Sequence, residues 1–338
     1  MSVVRSYQVT EPGGTFTAAD APLREPGRGE VRLIVEAVGI CASDHYFVNG
    51  AYPVEWPAIF GHEIAGRIEA LGEGVRGWAA GDRVAVGWFG GNCGVCDACR
   101  EGDFIHCAEL KIPGWQYPGG YAEATVVPAT ALARIPEGYS AVHAAPMGCA
   151  GVTAFNALRR SPARPGDLVA VLGVGGIGHL GVQFAAKSGF EVVAIARGAE
   201  KGELATKLGA QHYIDSTDAD VPAELQALGG ARVILATAMN SAAMSGVIDG
   251  LRYNGELLVV GAVPEPVQVS PFQIVASSKT LHGHPSGTAK DTEETLKFAA
   301  QAGIVPMTEE RPMEDINGGF KRMLSGDAKF RVVLTTDK

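Results

Sequence analysis

The sequence is poor in cysteine and in positive charge. Its 338 residues include only six cysteines, which excludes the disulfide framework of a small secreted protein. Lysine and arginine number 28 against 37 aspartate and glutamate residues, so the formal net charge is −9. Proteins that bind nucleic acids or anionic membranes normally carry a basic surface, and this balance therefore argues against both kinds of partner.

The chain also lacks an apolar segment typical of membrane targeting or spanning. The N-terminal residues MSVVRSYQVT contain no apolar run like that of a secretory signal, so a cytoplasmic protein with reduced thiols is expected. The longest apolar run, residues 168–186, includes five glycines together with His179 and Gln183, and it begins like a strand. We therefore do not expect this run to cross a membrane.

Apolar residues are abundant, and they follow two successive patterns. Hydrophobic residues make up 46% of the chain, enough for packed cores in about two domains. Up to about Met147, short apolar segments alternate with Gly and Pro turns, which predicts an all-β, barrel-like unit. From about Ala150, strands alternate with helices, which predicts a parallel sheet with helices on both faces. After about Pro285 the regularity weakens.

Individual segments carry these predictions. The strands predicted in the first pattern are 31–37, 83–86, 121–127 and 132–135. The second pattern predicts strands at 168–172, 191–196, 212–214, 232–236 and 256–260, and helices at 177–188, 201–208, 223–228 and 242–251. The C-terminal part predicts helices at 293–302 and 318–324 and a final strand at 330–335.

Four of the six cysteines lie close together, at Cys93, Cys96, Cys99 and Cys107. The two-residue gaps let successive thiolates face one point, and four thiolates in a tetrahedron form a closed, structural zinc site. An iron–sulfur cluster is the competing interpretation, but its bacterial motif ends in a three-residue gap and Cys-Pro. Here the last gap is seven residues and no proline follows Cys107, so the pattern favours zinc.

The other two cysteines, Cys41 and Cys149, are isolated, and His62 lies between them in the sequence. Each of these residues alone is most often a buried structural residue. Together they supply the three protein ligands of a catalytic zinc ion, whose fourth position stays open for water or substrate.

A glycine-rich turn follows the strand predicted at 168–172. Gly173, Gly175 and Gly178 complete the pattern G-x-G-x-x-G, with Gly176 and Ile177 between them. Gly173 permits the tight turn, Gly175 lets the backbone approach a pyrophosphate, and Gly178 allows close packing of helix and strand. Because the turn opens a helix in a region of alternating strands and helices, it predicts a dinucleotide site with the phosphates at the helix N-terminus.

The end of the next strand predicts which dinucleotide binds. NAD requires an acidic residue there for the ribose 2′-hydroxyl, but Ala196 occupies the place and Arg197 follows it. Arginine suits a 2′-phosphate, and Lys201 lies four residues further on. We therefore predict NADP(H), with NAD(H) as the alternative, while Arg197 and Lys201 as ordinary surface cations remain the competing interpretation.

Taken together, these residues resemble the zinc-dependent alcohol dehydrogenases of the medium-chain dehydrogenase/reductase superfamily. The resemblance covers essentially the whole chain and is closest to the microbial alcohol dehydrogenases and the cinnamyl-alcohol dehydrogenase branch. The matching segments are 39–44, 61–63, 81–84, 93–107, 119–123, 145–153 and 173–178.

The resemblance implies an α/β fold in which a Rossmann domain, a doubly wound parallel sheet, is inserted in a GroES-like β-barrel catalytic domain. The expected boundaries are 1–150 for the catalytic domain, including the zinc lobe at 93–107, then 151–285 for the Rossmann domain and 286–338 for the return to the catalytic domain. It further implies an active site in the cleft, two zinc ions per chain and a homodimer or homotetramer.

The resemblance also assigns roles to residues at the catalytic zinc. Cys41, His62 and Cys149 are similar to the ligands, and Glu63 to a neighbouring carboxylate that can approach the metal. Asp44 resembles the acid that orients the ligand histidine, a role with a clear physical basis. Ser43 resembles the hydroxyl that transfers the substrate proton.

Further roles are implied outside the zinc site. Thr153 resembles a residue beside the nicotinamide, and Arg331 a late arginine near the cofactor phosphates. Tyr52, Trp88 and Trp115 resemble walls of the substrate pocket, although simple core packing explains them nearly as well.

Two positions depart from the family pattern. Many relatives carry His or Arg after the first ligand, where it can meet the pyrophosphate, but here Ala42 is uncharged. The usual proton relay ends in a histidine five residues after the first cysteine; that position is Tyr46, and His45 precedes it. Either His45 or the cofactor ribose completes the relay.

The implied activity is the reversible oxidation of a primary or secondary alcohol to an aldehyde or ketone, with hydride passing to or from a nicotinamide. Oxidation of a polyol or amino alcohol is an alternative, but such enzymes tend to carry a carboxylate in place of the Cys149 thiolate. A non-catalytic, NADPH-binding zinc protein is the alternative from another class, and the intact set Cys41, His62 and Cys149 argues against it.

Overall fold

A computed structural model describes residues 3–336 of the chain. In chain order the strands are β1 Val3–Gln8, β2 Thr17–Pro22, β3 Glu30–Gly39, β4 Glu63–Leu71, β5 Arg83–Val86, β6 Ala124–Pro128, β7 Ala133–Arg134, β8 Leu168–Leu172, β9 Glu191–Ala196, β10 His212–Asp215, β11 Ala231–Ala236, β12 Leu251–Val259, β13 Thr280–Gly283, β14 Thr308–Pro312 and β15 Arg331–Thr335. The α-helices are α1 Ala42–Val48, α2 Asp97–Arg100, α3 Ala141–Ala144, α4 Ala150–Arg160, α5 Gly178–Lys187, α6 Gly202–Lys207, α7 Val221–Ala227, α8 Ser241–Gly246, α9 Pro271–Val275, α10 Ala289–Ala302 and α11 Ile316–Leu324.

The chain divides into two compact units. The first comprises the residues up to Cys149 together with 287–301 and the residues from Val305 onward. The second comprises Ala150–Ser286 and Ala302–Ile304. The main boundaries lie one residue from those expected at 150/151 and 285/286, and the short segment Ala302–Ile304 is an addition that the sequence did not predict.

The first unit is built on a seven-stranded sheet in the order β14-β15-β3-β4-β5-β7, with β6 also paired to β3. Strand β3 has three neighbours because it is long and because its two halves pair differently: β15 joins at Ala37–Gly39 and β6 at Glu30–Ile34. The side chains at positions 31, 33, 35 and 37 are fully buried while those between them are half-exposed. This alternation is expected for a strand with one face on the core.

Five strands of the first unit lie at or near the predicted segments: β3, β5, β6, β7 and β15. Strand β4 was not predicted, because Gly66 interrupts its apolar pattern. A Cβ at Gly66 would lie 2.0 Å from the carbonyl oxygen of Ile34, so the glycine marks a close approach of two backbones. Glycine inside a strand is typical of such a contact.

The second unit contains a six-stranded sheet in the order β10-β9-β8-β11-β12-β13, and every pair in it is parallel. Counted from β8, this is the order 3-2-1-4-5-6 of a doubly wound dinucleotide-binding sheet. Strand β8 is buried along its whole length, as its run of Leu, Val and Ala requires. The glycine-rich turn therefore leaves the sheet at its centre.

The predicted strands 168–172 and 191–196 coincide with β8 and β9. Helix α4 and strand β13 were not predicted. All four residues of β13 are exposed, so the strand carries none of the buried apolar pattern on which a prediction depends. No helix between residues 3 and 336 has the length and apolar character needed to cross a membrane.

Candidate functional site

Both predicted sets of metal ligands form compact clusters in the first unit. The ligand atoms of Cys41, His62, Glu63 and Cys149 all lie within 4.8 Å of one another. Cys41, His62 and Glu63 are buried, and Cys149 is half-buried. The ligand atoms of the four cysteines at 93–107 form a second cluster of the same size. The sequence placed these eight residues in two sets, and the fold brings each set together.

Pairing of β3 with β4 positions the first two ligands. Gly39, the last residue of β3, lies opposite Glu63, the first residue of β4. The chain leaves β3 through Ile40 to reach Cys41, and it enters β4 through His62. The two ligands therefore project from the same end of this strand pair.

A close contact between two glycines positions the third ligand. Cys149 follows a 3-10 turn at Ala145–Gly148, and the carbonyl oxygen of Gly148 accepts a hydrogen bond from the backbone N–H of Trp88 at 3.2 Å. A Cβ at Gly87 would lie 1.8 Å from this oxygen. Only a glycine at position 87 lets the turn lie against the end of β5 and bring Cys149 to Cys41.

The geometry of these residues fits a zinc ion. The sulfur atoms of Cys41 and Cys149 are 3.8 Å apart, and two thiolates bound tetrahedrally at ~2.3 Å from zinc lie about 3.8 Å apart. His62 Nε2 is buried and has no hydrogen-bond partner among the described residues. A buried ring nitrogen without a partner is costly unless it binds a ligand. A thiolate–imidazole–thiolate set with a neighbouring carboxylate is typical of zinc.

The two thiols of this cluster differ in acidity. Their hydrogen bond lowers the pKa of Cys41 well below its usual value and raises the pKa of Cys149. One thiolate therefore forms readily, which suits metal binding because zinc takes cysteine in this form.

Asp44 holds the imidazole of His62 in one orientation. His62 Nδ1 lies 2.9 Å from Asp44 Oδ1, and both side chains are buried. Because an ionised carboxylate can only accept a hydrogen bond, Nδ1 carries the proton and Nε2 presents its lone pair. Asp44 is in turn fixed on the first turn of α1, where its Oδ2 accepts the backbone N–H of Cys41 at 3.1 Å. The expected orienting role of Asp44 matches this arrangement.

Glu63 forms a buried ion pair with Arg331. Arg331 Nη2 binds Glu63 Oε1 and also donates to the carbonyl oxygen of Ile40 at 3.2 Å. Burial raises the pKa of Glu63 to about 7, because the charge of Arg331 offsets the cost of desolvation only in part. Glu63 Oε2 has no hydrogen-bond partner among the described residues, so this oxygen is available as a ligand for a metal ion.

Arg331 is thus placed differently from the expectation that it lies at the cofactor phosphates. Its Nη2 is bound to Glu63, beside the zinc ligands, and only Nε is buried without a partner in the described part of the chain. Binding of a phosphate by Arg331 stays a prediction, and it rests on this one atom.

The four-cysteine cluster has the geometry of a closed metal site. The sulfur of Cys107 lies 3.9 Å from that of Cys96 and 3.6 Å from that of Cys93. Backbone N–H groups of Cys99 and Ala108 lower the pKa of Cys96 to about 6. Backbone donors aimed at sulfur stabilise thiolates, the form in which cysteine binds zinc.

Ser43 and His45 lie on α1 but are not joined to each other. Ser43 is half-buried, and its hydroxyl has no hydrogen-bond partner between residues 3 and 336. The ring of His45 lies 3.0 Å from the side-chain nitrogen of Asn49, and its centroid is 6.3 Å from that of Phe320. A relay through His45 would need its ring to leave Asn49, and it stays a prediction.

The predicted pocket residues form an aromatic cluster beside His62. Trp88 packs edge-to-face on the His62 ring at 5.2 Å, and Tyr52 packs on Trp115 at 4.9 Å. Phe47, which the sequence analysis missed, lies between them, 5.3 Å from Tyr52 and 6.0 Å from Trp88. These rings pack together, but Tyr52 is 43% exposed. The cluster is therefore open to solvent at Tyr52 and is not a fully buried core.

In the second unit, the glycine turn has the properties expected of a phosphate site. Gly173 has φ +96°, and a Cβ at Gly178 would lie 1.8 Å from the carbonyl oxygen of Gly173. A Cβ at Gly175, by contrast, would meet no atom within 4 Å, so the space above it is free for a ligand. Ile177 precedes α5 without a side-chain cap, which leaves the helix N-terminus to an anion.

Three charged residues near the end of β9 bear on the choice of cofactor. Arg197 is exposed and has no partner among the described residues, whereas Ala196 is buried. Asp215 lies beside Ala196 on β10, but its carboxylate already accepts three hydrogen bonds, from Gly198 and Thr217, and these lower its pKa. The sequence analysis missed Glu200, whose carboxylate lies 2.3 Å from the position that a Cβ on Gly198 would take.

The remaining predicted cofactor residues lie near the same sheet or on α4. Lys201 ends the 3-10 turn Ala199–Lys201, and its charge helps to lower the pKa of Asp215. Thr153 is buried on the first turn of α4. Its contact with a nicotinamide stays a prediction.

Comparison with known proteins gives matches over nearly the whole chain. Residues 27–137 match the family described as alcohol dehydrogenase GroES-like domain, and residues 176–301 match the family described as zinc-binding dehydrogenase. An alcohol dehydrogenase of Aspergillus sp. strain MF297-2 is 39% identical over 340 residues, covering 100% of both chains.

Solved structures give the same result. A cinnamyl alcohol dehydrogenase from Sorghum bicolor has a TM-score of 0.90 at 27% identity, covering 99% of this chain and 98% of the other. The CAD protein of Helicobacter pylori, solved in complex with NADP(H), has a TM-score of 0.87 at 27% identity and covers 98% of each chain. The expected α/β fold, a Rossmann sheet combined with a GroES-like domain, is confirmed.

Proposed function

Because the chain belongs to the zinc-dependent alcohol dehydrogenase family of the medium-chain dehydrogenase/reductase superfamily, we propose that it interconverts simple primary or secondary alcohols with their aldehydes or ketones at the Cys41–His62–Cys149 zinc site. The observation that carries this proposal is the cluster itself. It offers two sulfur atoms 3.8 Å apart and a buried His62 Nε2 without a partner among the described residues.

We assign two zinc ions to each chain. Cys41, His62 and Cys149 would hold one of them, with Glu63 Oε2 as a nearby fourth donor, and the four cysteines at 93–107 would hold the other. A bound catalytic zinc ion polarises the substrate oxygen and lowers the proton affinity of an alcohol, while the nicotinamide accepts or supplies hydride. Asp44 keeps the His62 ring oriented so that Nε2 faces the metal.

Ser43 is the group that we assign to proton transfer. Its Oγ would accept the hydroxyl proton during oxidation while its own proton passes on to His45 or the cofactor ribose, and the transfer would run in reverse during reduction. The half-buried position of Ser43, two residues after Cys41, and the absence of a competing partner between residues 3 and 336 support this role.

NADP(H) is the cofactor that we propose. An exposed Arg197 without a partner in the described chain is available to a 2′-phosphate, and the buried Ala196 offers no acid to the ribose. Two further features bear on this choice: Oδ1 of Asp215 already accepts three hydrogen bonds, from Gly198 and Thr217, and Glu200 places a negative charge beside Gly198.

We also propose a homo-oligomer in the cytoplasm. Strand β13 forms an edge of its sheet, and all four of its residues are exposed. In neighbouring α9, Phe272 is 82% and Val275 is 76% exposed. An open sheet edge beside exposed apolar side chains is typical of an association surface. The six free cysteines suit a reducing compartment.

The proposed activity is tested with a panel of aldehydes and ketones and NADPH, followed at 340 nm and repeated with NADH. Turnover of simple aldehydes or ketones that disappears when zinc is removed is the expected result. A preference for polyols or amino alcohols would support the alternative substrate class. If the zinc-loaded protein turned over none of these compounds while it still bound NADPH, a non-catalytic binding protein would be the better explanation.

A further inference from the structure

The segment Gly119-Gly120-Tyr121 has no role in the function proposed so far. Tyr121 is fully buried, although its phenol group carries a hydroxyl that needs a partner. That hydroxyl donates to Asp44 Oδ2 at 2.8 Å, across 77 positions of the sequence. Tyr121 therefore touches the residue that orients the ligand His62.

Glycines at two positions make this contact sterically accessible. The N–H of Tyr121 bonds to the carbonyl oxygen of Phe60 at 2.9 Å, so this segment runs directly against the residues that precede His62. Gly61 has φ +94°, and a Cβ there would lie 2.8 Å from the Tyr121 ring. A Cβ at Gly119 would lie 2.4 Å from the carbonyl oxygen of Phe60. Gly61 therefore leaves room for the phenol ring, and Gly119 lets its own segment lie against the backbone of Phe60.

The ring of Tyr121 is held from the other side as well. Phe16 packs on it edge-to-face, with ring centroids 5.5 Å apart and planes at 90°. Because the ring is fixed between Phe16 and Gly61, its hydroxyl is held within hydrogen-bonding distance of Asp44 Oδ2.

Asp44 depends on three donors. Its Oδ1 receives His62 Nδ1 at 2.9 Å, and its Oδ2 receives the N–H of Cys41 at 3.1 Å and the Tyr121 hydroxyl at 2.8 Å. A carboxylate buried to this degree is stable only when its lone pairs are hydrogen-bonded. The phenol supplies the shorter of the two bonds to Oδ2.

We propose that Tyr121 is a positioning residue for the catalytic zinc: it fixes the Asp44 carboxylate, which in turn fixes His62 with Nε2 toward the metal. This inference rests on the proposed function, because it requires zinc at the cluster of Cys41, His62 and Cys149. Partners one step outside the ligands are commonly needed for full metal affinity. Here the series of hydrogen bonds extends one residue further, to a phenol whose hydroxyl binds Asp44 and not a zinc ligand.

The variant Tyr121→Phe tests the proposal, since it removes one oxygen and keeps the ring between Phe16 and Gly61. Full-length protein loaded with zinc is dialysed against increasing concentrations of a chelator, and the zinc retained is measured by elemental analysis. We expect one of the two zinc ions, the one assigned to Cys41, His62 and Cys149, to bind about tenfold more weakly than in the wild type. The other zinc ion should be retained as in the wild type.

Tyr117→Phe is the matched control. It also removes a hydroxyl that makes one hydrogen bond, to the carbonyl oxygen of Gly90 at 2.9 Å, but it leaves Asp44 untouched. We expect it to change the melting temperature by a similar amount without weakening either zinc ion. In an Asp44→Asn background, Tyr121→Phe should have little further effect on zinc binding, because the carboxylate through which it acts is gone.

The outcomes separate this inference from the proposed function. If wild-type protein holds only the zinc of the four-cysteine site, the proposed function itself fails. If the wild type holds both ions and Tyr121→Phe keeps wild-type affinity for both, only the role of Tyr121 is overturned. Equal weakening of both sites, or the same loss in Tyr117→Phe, would also overturn it, because general loosening of the fold would then explain the result.

Discussion

Gly39 and Glu63 face each other at the ends of β3 and β4, and a Cβ on Gly39 would lie 2.0 Å from Glu63 Oε2. The carboxylate of Glu63 therefore occupies the space that a side chain at position 39 would need. Glu63 can be fully buried beside the zinc ligands only because position 39 is glycine. This relationship links the two sequence segments 39–44 and 61–63 that the family resemblance singled out.

Gly39→Ala is expected to impair the site. The added methyl group must displace the Glu63 carboxylate, which is buried and bound to Arg331. We expect a loss of about 1–3 kcal/mol in the free energy of unfolding, as for other overpacked positions, and at least a tenfold fall in kcat. Chemical denaturation and steady-state kinetics measure the two effects. Gly246→Ala, where a Cβ would meet no atom within 4 Å, is the control and should change neither.

The two zinc sites should respond differently to loss of a ligand. Cys149→Ser removes a ligand of the proposed catalytic zinc, so turnover should be abolished while cofactor binding is largely kept. Cys99→Ser should lower zinc content and melting temperature without changing substrate preference, because a structural zinc ion contributes to folding. Elemental analysis should find two zinc ions per wild-type chain. Near-normal activity of Cys149→Ser would remove that residue from the ligand set.

Ser43→Ala tests the proton path. A positioned acid–base group contributes about 10²-fold or more to the rate, so kcat should fall by about that factor, whereas Ser43→Thr should keep most activity. A kcat within a few-fold of the wild type would exclude Ser43 as the proton acceptor. His45→Ala is the companion variant, and its small effect would match the position of the His45 ring against Asn49.

Phe272→Glu tests the proposed association surface. A charge at this exposed position beside the edge strand β13 should weaken contacts between subunits, and light scattering should show a smaller particle. Val3→Glu is the control, since Val3 is 64% exposed and belongs to the separate two-stranded sheet of β1 and β2 in the first unit. A monomeric wild type, or an unchanged mass for Phe272→Glu, would contradict the proposal.

Elements with buried, β-branched runs between turn residues were predictable from the sequence. Strands β8 and β9 are two such runs, and the structure places them where the sequence did. Strand β4 was missed because Gly66 serves the approach of the Ile34 carbonyl group, a contact that no local pattern reveals. Strand β13 was missed because exposed residues carry no apolar alternation.

The four-cysteine set was predictable because residue type and close spacing define a metal site, and the set of Cys41, His62 and Cys149, with Asp44 and Glu63 beside it, from the family resemblance. The contacts of Arg331 and Tyr121 were not predictable, because they join distant parts of the chain. Arg331 and Glu63 are 268 positions apart, and Tyr121 and Asp44 are 77 positions apart. Only strand pairing, of β15 and β4 with β3, brings Arg331 to Glu63. Spacing rules act locally and cannot supply such pairs.

We expect cofactor preference to be decided at the end of β9, where an exposed Arg197 would attract a 2′-phosphate and the carboxylate of Glu200 would repel it. A charge-assisted hydrogen bond contributes about 1.5–3 kcal/mol, and ~1.4 kcal/mol corresponds to a factor of ten. One contact from Arg197 therefore predicts a preference for NADPH on the order of 10- to 100-fold in kcat/KM. Arg197→Ala should raise the KM for NADPH and leave that for NADH nearly unchanged.

Glu200→Gln and Ala196→Asp should move the same preference in opposite directions. Glu200→Gln keeps the size of the side chain but removes a negative charge next to Gly198, so selectivity for NADPH should increase. Ala196→Asp adds an acid that repels the phosphate and can accept the ribose hydroxyl, so selectivity should turn toward NADH. The measurement is the ratio of kcat/KM for NADPH over NADH in each variant. A wild-type ratio below one would show that Arg197 does not reach the cofactor, and Glu200, the acid that the sequence pattern overlooked, would then be the first candidate to bind the ribose of NADH.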